Sequence, residues 1–210
     1  VMGITGLTAY FGMGEIGKPQ AGETVLISGA AGATGSIAGQ LARIAGARVV
    51  GIAGGQKKCD WLVNELGFDA AIDYKAGNTK AEIKATCPDG VDVYYDNVGG
   101  EILDMALARL AQSARVVLCG GISRYNETGH IPGPSNYFNL VYRRARMEGF
   151  IVIDYAERFG EGLEALAGYL KSGQLQHHET LLEGFENTPQ ALINLFTGAN
   201  LGKQLVAVEH

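Results

Sequence analysis

The chain has 210 residues, of which 47% are apolar and 19% charged, with a formal net charge of −5. Such a chain can bury a sizeable core and is no disordered segment, and its acidic balance argues against nucleic acid or an anionic membrane surface as a partner. No apolar run approaches the ~20 residues of a membrane span, no signal-peptide pattern is visible, and the scattered Cys59, Cys87 and Cys119 form neither a disulfide framework nor Cys-x-x-Cys metal spacing, which suits a reducing, cytoplasmic setting.

In chain order, residues 1–16 read as a leading apolar helix. Strand and helix then alternate: strand 24–28, helix 36–45, strand 48–53, helix 57–66, strand 70–73, helix 80–86, strand 91–96, helix 102–110 and strand 115–119. After a long Gly/Pro loop come a helix over 138–146, a sixth strand over 149–154 and a helix over 161–170. Short apolar runs alternating with helical periods predict an α/β fold, a doubly wound six-stranded parallel (Rossmann) sheet with its ligand crevice beyond the strand C-termini. Residues 17–176 make that domain. Residues 177–210 form a tail with a helix beginning near Pro189 and a last strand over 204–208, and it looks as though it belongs in part to a further domain.

The stretch "SGAAGATGS" at 28–36 follows the first strand directly. A phosphate reaches a helix N-terminus only where no side chain covers the first backbone N–H groups, and the first βα turn of a dinucleotide-binding domain therefore needs small residues. The Gly-x-Gly-x-x-Gly spacing is met with Ala30 in the first glycine position, Gly32 in the second and Gly35 in the third. Gly32, Ala33, Thr34 and Gly35 are the pyrophosphate candidates; the alternative is a small-residue helix that merely packs on the sheet. The second strand ends in Ala53-Gly54-Gly55-Gln56-Lys57-Lys58, without the acid that holds the ribose 2′-hydroxyl of NAD. Lysines at a helix start oppose the helix dipole, so they favour the 2′-phosphate of NADP over a solvated pair.

Two further glycine-rich strand ends, Asn97-Val98-Gly99-Gly100 and Cys119-Gly120-Gly121-Ile122-Ser123, lie where a nicotinamide and its ribose would rest, or are plain turns. His177 and His178 lack partners at ligand spacing, and no metal site is expected. The chain has no Tyr-x-x-x-Lys pair, no phosphate-binding Gly-x-x-x-x-Gly-Lys-Ser/Thr and no Gly-x-Ser-x-Gly elbow, which removes short-chain dehydrogenases and phosphate-loop NTPases and disfavours α/β-hydrolases.

"GLTAYFG", "AAGATGS", "LGFDAAIDYK", "YYDNVGG", "CGGISRYN", "YRRARMEGF" and "GFENTPQAL…NLGK" occur in order along almost the whole chain. Together they resemble the prostaglandin/leukotriene reductase branch of the medium-chain reductases, zinc-independent, NADPH-dependent enzymes that reduce the double bond of enones and alkenals. The resemblance implies that Gly32 to Gly35 hold the pyrophosphate, Lys58 the 2′-phosphate and Tyr74 the adenosine end. It implies that Asn97, the stretch Cys119, Gly120, Gly121, Ile122, Ser123 and Tyr125, and Phe150, Ile151 and Val152 line the nicotinamide half, with Asn200 closing over the cofactor. Tyr142 matches the family tyrosine beside the substrate carbonyl, where its hydroxyl would hydrogen-bond the oxygen as an enolate develops; otherwise it is a solvent-facing helix residue. Family members carry an N-terminal GroES-like substrate domain, which is not in this sequence. Rival readings are a quinone reductase on the same fold and a non-catalytic NADPH-binding sensor or scaffold. The apolar strand 149–154, free of Lys and Pro, is expected at the sheet edge, pairing with its own copy in a homodimer.

Overall fold

A computed structural model describes residues 1–208. Its centre is a six-stranded sheet of β1 (Thr24–Ile27), β2 (Arg48–Ala53), β3 (Ala70–Asp73), β4 (Val91–Asp96), β5 (Leu110–Leu118) and β6 (Arg146–Gly149), in the order β3-β2-β1-β4-β5-β6. Every pairing is parallel. The strand order reverses between β1 and β4, which places the crevice of a doubly wound sheet beyond their C-terminal ends.

Both faces are covered at the centre of the sheet, so β1 and β2 are nearly continuous apolar runs, whereas the edge strand β6 (Arg-Met-Glu-Gly) is mostly exposed. Alternation still sorts the side chains. Val25, Ile27, Val93 and Tyr95 enter one core, with residues of α1 (Ile4–Phe11), α2 (Ala33–Ile44), α3 (Gln56–Asn64) and α7 (Phe159–Lys171). Leu26, Val50, Ile52 and Tyr94 enter the other, with α4 (Thr79–Thr86) and α5 (Gly100–Leu107). Each fully buried aliphatic side chain contributes about 1.5–3 kcal/mol relative to exposure.

The leading helix is α1 followed by a π-helical turn over Gly12–Gly17, which Arg115 ties to the sheet by donating to the Gly17 carbonyl and pairing with Glu23 at 2.6 Å. That guanidinium holds the Glu23 carboxyl below its ordinary value. The expected helix over 138–146 is only α6 (Asn139–Arg143), because Arg144 turns left-handed (φ 48°) and releases the chain into β6.

The sixth strand requires a correction. It runs Arg146–Gly149, and residues 150–154 are not a strand. β6 follows β5 residue by residue from Arg115↔Arg146 to Leu118↔Gly149. There β5 stops, since the N–H groups of Cys119 and Gly120 both turn to the carbonyl of Asp96. With no ladder left, the chain coils at Val152–Arg158 into a 3-10 helix that buries Val152 and stacks Tyr155 on Phe11 at 4.7 Å. β6 is nevertheless the edge strand.

The tail holds β7 (Glu179–Glu183), α8 (Thr188–Thr197) and β8 (Lys203–Ala207), and its two strands pair in parallel as a separate small sheet. It docks on the glycine-rich turn through a bridge of Gly32 with Gly202, whose N–H donates to the Ala31 carbonyl at 2.8 Å. Among the described residues, no helix is long and apolar enough to cross a membrane.

Candidate functional site

The glycine-rich turn joins β1 to α2, and Gly32 stands at the N-cap of that helix. No side chain caps it, and while the bridge to Gly202 engages Ala33, the N–H groups of Thr34 and Gly35 have no partner among the described residues. These are the unpaired donors that an anion can take up at a helix start. Gly35 serves the close approach of helix and strand: a Cβ there would meet the Gly29 carbonyl and stand 2.9 Å from Ala30 Cα.

At the end of β2 the Tyr74 ring and the Lys75 stem pack over Gly54, where a Cβ would lie 2.8 Å from the ring and 2.9 Å from Lys75 Cε. Asp73 holds this corner by accepting from the N–H groups of Gly55 and Lys75 at 2.7 and 2.9 Å. Its carboxylate is thus turned to backbone. Lys58, in the first turns of α3, donates to the Gly198 carbonyl at 2.9 Å. Burial, then the positive charge of Lys75, hold the Lys58 ammonium below the usual lysine range. Among the described residues neither lysine has an ion-pair partner. Two cations gather around one small-residue corner whose one nearby carboxylate, Asp73, accepts from backbone N–H groups rather than from either ammonium, which fits a bound phosphate. Lys58, Tyr74 and the tail therefore meet here, as does Lys75, which sequence reasoning passed over.

Asp96 organises the opposite end. It is 1% exposed, and its Oδ1 accepts from Ser28 Oγ (2.9 Å), Tyr94 Oη (2.8 Å), Val98 N (3.0 Å) and Gly99 N (2.9 Å). Asn97 completes the knot, its amide Nδ2 donating to the Ser28 carbonyl at 2.7 Å. Ser123 Oγ donates to the Val98 carbonyl at 2.6 Å, and Ile122 N to the Asn97 carbonyl at 3.3 Å. Tyr125, 64% exposed, accepts the Gly121 N–H at 3.2 Å. These bonds fix the loops after β4 and β5 side by side.

Beyond those loops opens a cavity of about 530 Å³, lined by Asp96, Cys119, Gly120, Gly121, Phe150 and Ile151 among others. Phe150 is backed by Gly12, where a Cβ would sit 2.6 Å from its ring, so "GLTAYFG" leaves room for the cavity wall. Val152 is buried beneath and does not line it. Burial pushes the thiols of Cys59 and Cys119 up, Cys59 to about 11. Tyr142, on α6, is 64% exposed, packs edge-on against Phe138 at 5.3 Å and stands outside the cavity lining. Asn200 is buried and donates to the Gly202 carbonyl at 3.0 Å, bracing the segment that lies against the glycine-rich turn. Among the described residues, no group of three or more His, Cys, Asp and Glu could hold a metal ion.

The hub at Asp96 was missed in the sequence because two of its four donors are backbone and a third, Ser28, lies in the turn after another strand. The only signal was an acid closing a buried apolar strand.

Residues 33–168 match the family described as zinc-binding dehydrogenase. Across 99% of its length the chain is 53% identical to a Bacillus subtilis protein named as a putative NADP-dependent oxidoreductase, covering 62% of that relative. It is 42% identical to a 2-alkenal reductase (NADP(+)-dependent) of Nicotiana tabacum, covering 61% of it. Among solved structures, Vibrio vulnificus CurA in complex with NADPH superposes with a TM-score of 0.95 at 40% identity, over 100% of this chain and 64% of that one. The chain thus spans about three fifths of the length of these relatives.

Proposed function

The chain belongs to the zinc-binding dehydrogenase family, and from that premise we propose that it supplies the cofactor site of an NADPH-dependent reductase acting on carbon–carbon double bonds conjugated to a carbonyl. The observation that carries the reading is the corner of Lys58, Lys75 and Tyr74, which gathers positive charge where an NAD enzyme would place an acid. The named activity of the tobacco relative and the NADPH held by the Vibrio protein support it.

When bound, NADPH supplies a hydride for the β-carbon of an α,β-unsaturated aldehyde or ketone. The chain's own part is to hold and orient. The turn Gly32 to Gly35, with the open N–H groups of Thr34 and Gly35, takes the pyrophosphate, and Lys58 with Lys75 takes the 2′-phosphate. The loops knotted by Asp96 and Asn97 form the floor of the nicotinamide half, with Cys119, Gly120, Gly121 and Phe150 as its wall. Tyr142 donates its hydroxyl hydrogen bond to the substrate carbonyl oxygen, most strongly as negative charge builds there. Water then protonates the α-carbon. Its exposure leaves the Tyr142 hydroxyl free for a substrate.

The test is incubation of the chain with NADPH and an alkenal, with product analysis by mass spectrometry. A saturated aldehyde supports the reading. Turnover of a quinone alone would favour a quinone reductase, and NADPH binding with no turnover a sensor or scaffold.

The proposed partner is a second copy of the chain. β6 is an open edge, and just past it Ile151 and Ile153 are 65% and 67% exposed. A two-fold contact along β6 and the segment just past it would cover both. A cytoplasmic location agrees with the three free thiols.

A further inference from the structure

The cavity floor carries a charge that the reading above does not use. Asp96 is buried, lines the cavity and has no ion-pair partner among the described residues. The donors around it are committed. Val98 and Gly99 offer backbone N–H groups, and Ser28 Oγ already accepts from Asn97 N, so its own hydrogen goes to Asp96. Oδ1 thus accepts all four hydrogen bonds and donates none, an arrangement that suits a carboxylate. Its field reaches the surroundings: the phenol of Tyr94 and the thiol of Cys119 are both pushed up, by burial first and by Asp96 in addition. Two other charged residues line the cavity. Asp154 adds to the negative sign, and Arg124 has its guanidinium drawn to the Pro132 carbonyl. Asp96 is the charge set in the protein interior, where water screens least.

We propose that the Asp96 carboxylate is an electrostatic tuning group that favours the oxidised, positively charged nicotinamide over the reduced, neutral one. The inference rests on the NADPH reading of the cavity. A fixed negative charge under this floor lowers the free energy of the state in which the ring has given up its hydride, and so makes the bound cofactor a stronger donor. Four neutral dipoles converging on one oxygen keep the charge in place without cancelling it. A lysine or arginine in their stead would have stabilised the carboxylate equally and removed the effect.

Calorimetric titration of the 210-residue chain with NADP+, NADPH and 2′,5′-ADP tests this. The wild-type chain should bind NADP+ at least as tightly as NADPH. Asp96→Asn keeps shape and an acceptor oxygen but removes the charge. It should weaken NADP+ relative to NADPH by about tenfold or more, the order expected of a unit charge within about 12 Å at an effective dielectric constant of ~20. The adenosine-half ligand 2′,5′-ADP should be unaffected. Tyr94→Phe removes one hydrogen bond and leaves the charge, and its NADP+/NADPH ratio should stay within about twofold of wild type. An unchanged ratio in Asp96→Asn overturns the proposal, as does an equal change in Tyr94→Phe. Should Asp96→Asn fail to fold, a wild-type chain that binds NADP+ ten or more times more weakly than NADPH overturns it alone. A wild-type chain that binds 2′,5′-ADP and neither nicotinamide form overturns it too. A chain that binds none of the three sinks the NADPH reading itself, and this inference with it.

Discussion

Lys58 Nζ donates a 2.9 Å hydrogen bond to the carbonyl of Gly198, so one ammonium joins the corner at Gly54 and Tyr74, proposed above to take the 2′-phosphate, to the tail. An ammonium has three donors, and a phosphate can be taken without giving up Gly198. Lys58→Ala should therefore lose NADPH affinity by about tenfold to a hundredfold, the worth of a charged hydrogen bond, with little change for NADH. Titration calorimetry with both cofactors checks it, and equal losses would reject Lys58 as the 2′-phosphate partner. Limited proteolysis should also cut the variant faster around Gly198.

Gln40 and Gln176 clasp each other where the tail leaves the main domain. The Gln40 amide donates to the Gln176 carbonyl at 2.9 Å and accepts the Gln176 N–H at 2.7 Å, with the Gln40 side chain 2% exposed. Gln40→Leu strands both backbone groups of Gln176 and should cost about 1–3 kcal/mol of stability. Denaturant titration measures this; a neutral result would mean that water replaces the clasp.

Cys59 gives the chain an alkaline weakness. Its thiol is raised from 9.0 to about 11 in the folded protein, by burial first and by Asp73 and Asp60 next. Above the unfolded value the unfolded chain releases a proton that the folded chain keeps, so stability is complete below pH 9 and falls as pH rises to about 11. Cys87, Cys119 and the phenols of Tyr94 and Tyr95 are displaced in the same direction. Cys59→Ala should flatten part of that fall in melting curves between pH 8.5 and about 11. An identical pH profile for the variant would place the effect elsewhere.

Ile151→Lys with Ile153→Lys puts two charges on the segment proposed to meet its own copy. Both side chains are exposed in the single chain, so the substitutions should leave the fold intact and give a monomer in light scattering. A proline at Val152 would be a poorer probe, because that side chain is buried under the 3-10 helix. A doubly charged variant that stays dimeric would move the interface away from this edge.

Gly35→Ala tests the pyrophosphate turn. The added methyl meets the Gly29 carbonyl and Ala30 Cα, backbone that cannot swing aside. α2 must shift from β1, at about 1–3 kcal/mol. NADPH binding should fall alongside the melting temperature, whereas Gly14→Ala, with nothing within 4 Å, should alter neither.

What could be read from the residues divides by the range of the interactions. β2, β3 and β4 run where apolar runs bounded by glycine and charge place them, because a strand buried on both faces writes itself into local composition. The glycine-rich turn is likewise a local matter. The sixth strand misled because Phe150–Ile153 has strand composition, while strand length is limited by the neighbour, and β5 ends at Leu118. β7 went unread because Glu179–Glu183 shows its pattern only against β8. Lys75 and Asp96 escaped for the same reason: what they face lies on other strands or on the backbone, and no periodicity records that.

The bridge between Gly32 and Gly202 has a consequence in time. The two glycines are separated by most of the chain, so the contact closes one of the longest loops in the molecule, and long loops close late. During synthesis the sheet around β1, β2 and β4 can assemble while the segment at Gly202 does not yet exist. The turn at 28–36 is thus among the first pieces to take shape and among the last to gain its full set of neighbours. A ribosome stalled before that segment would carry a nascent chain with its glycine-rich turn formed and unguarded.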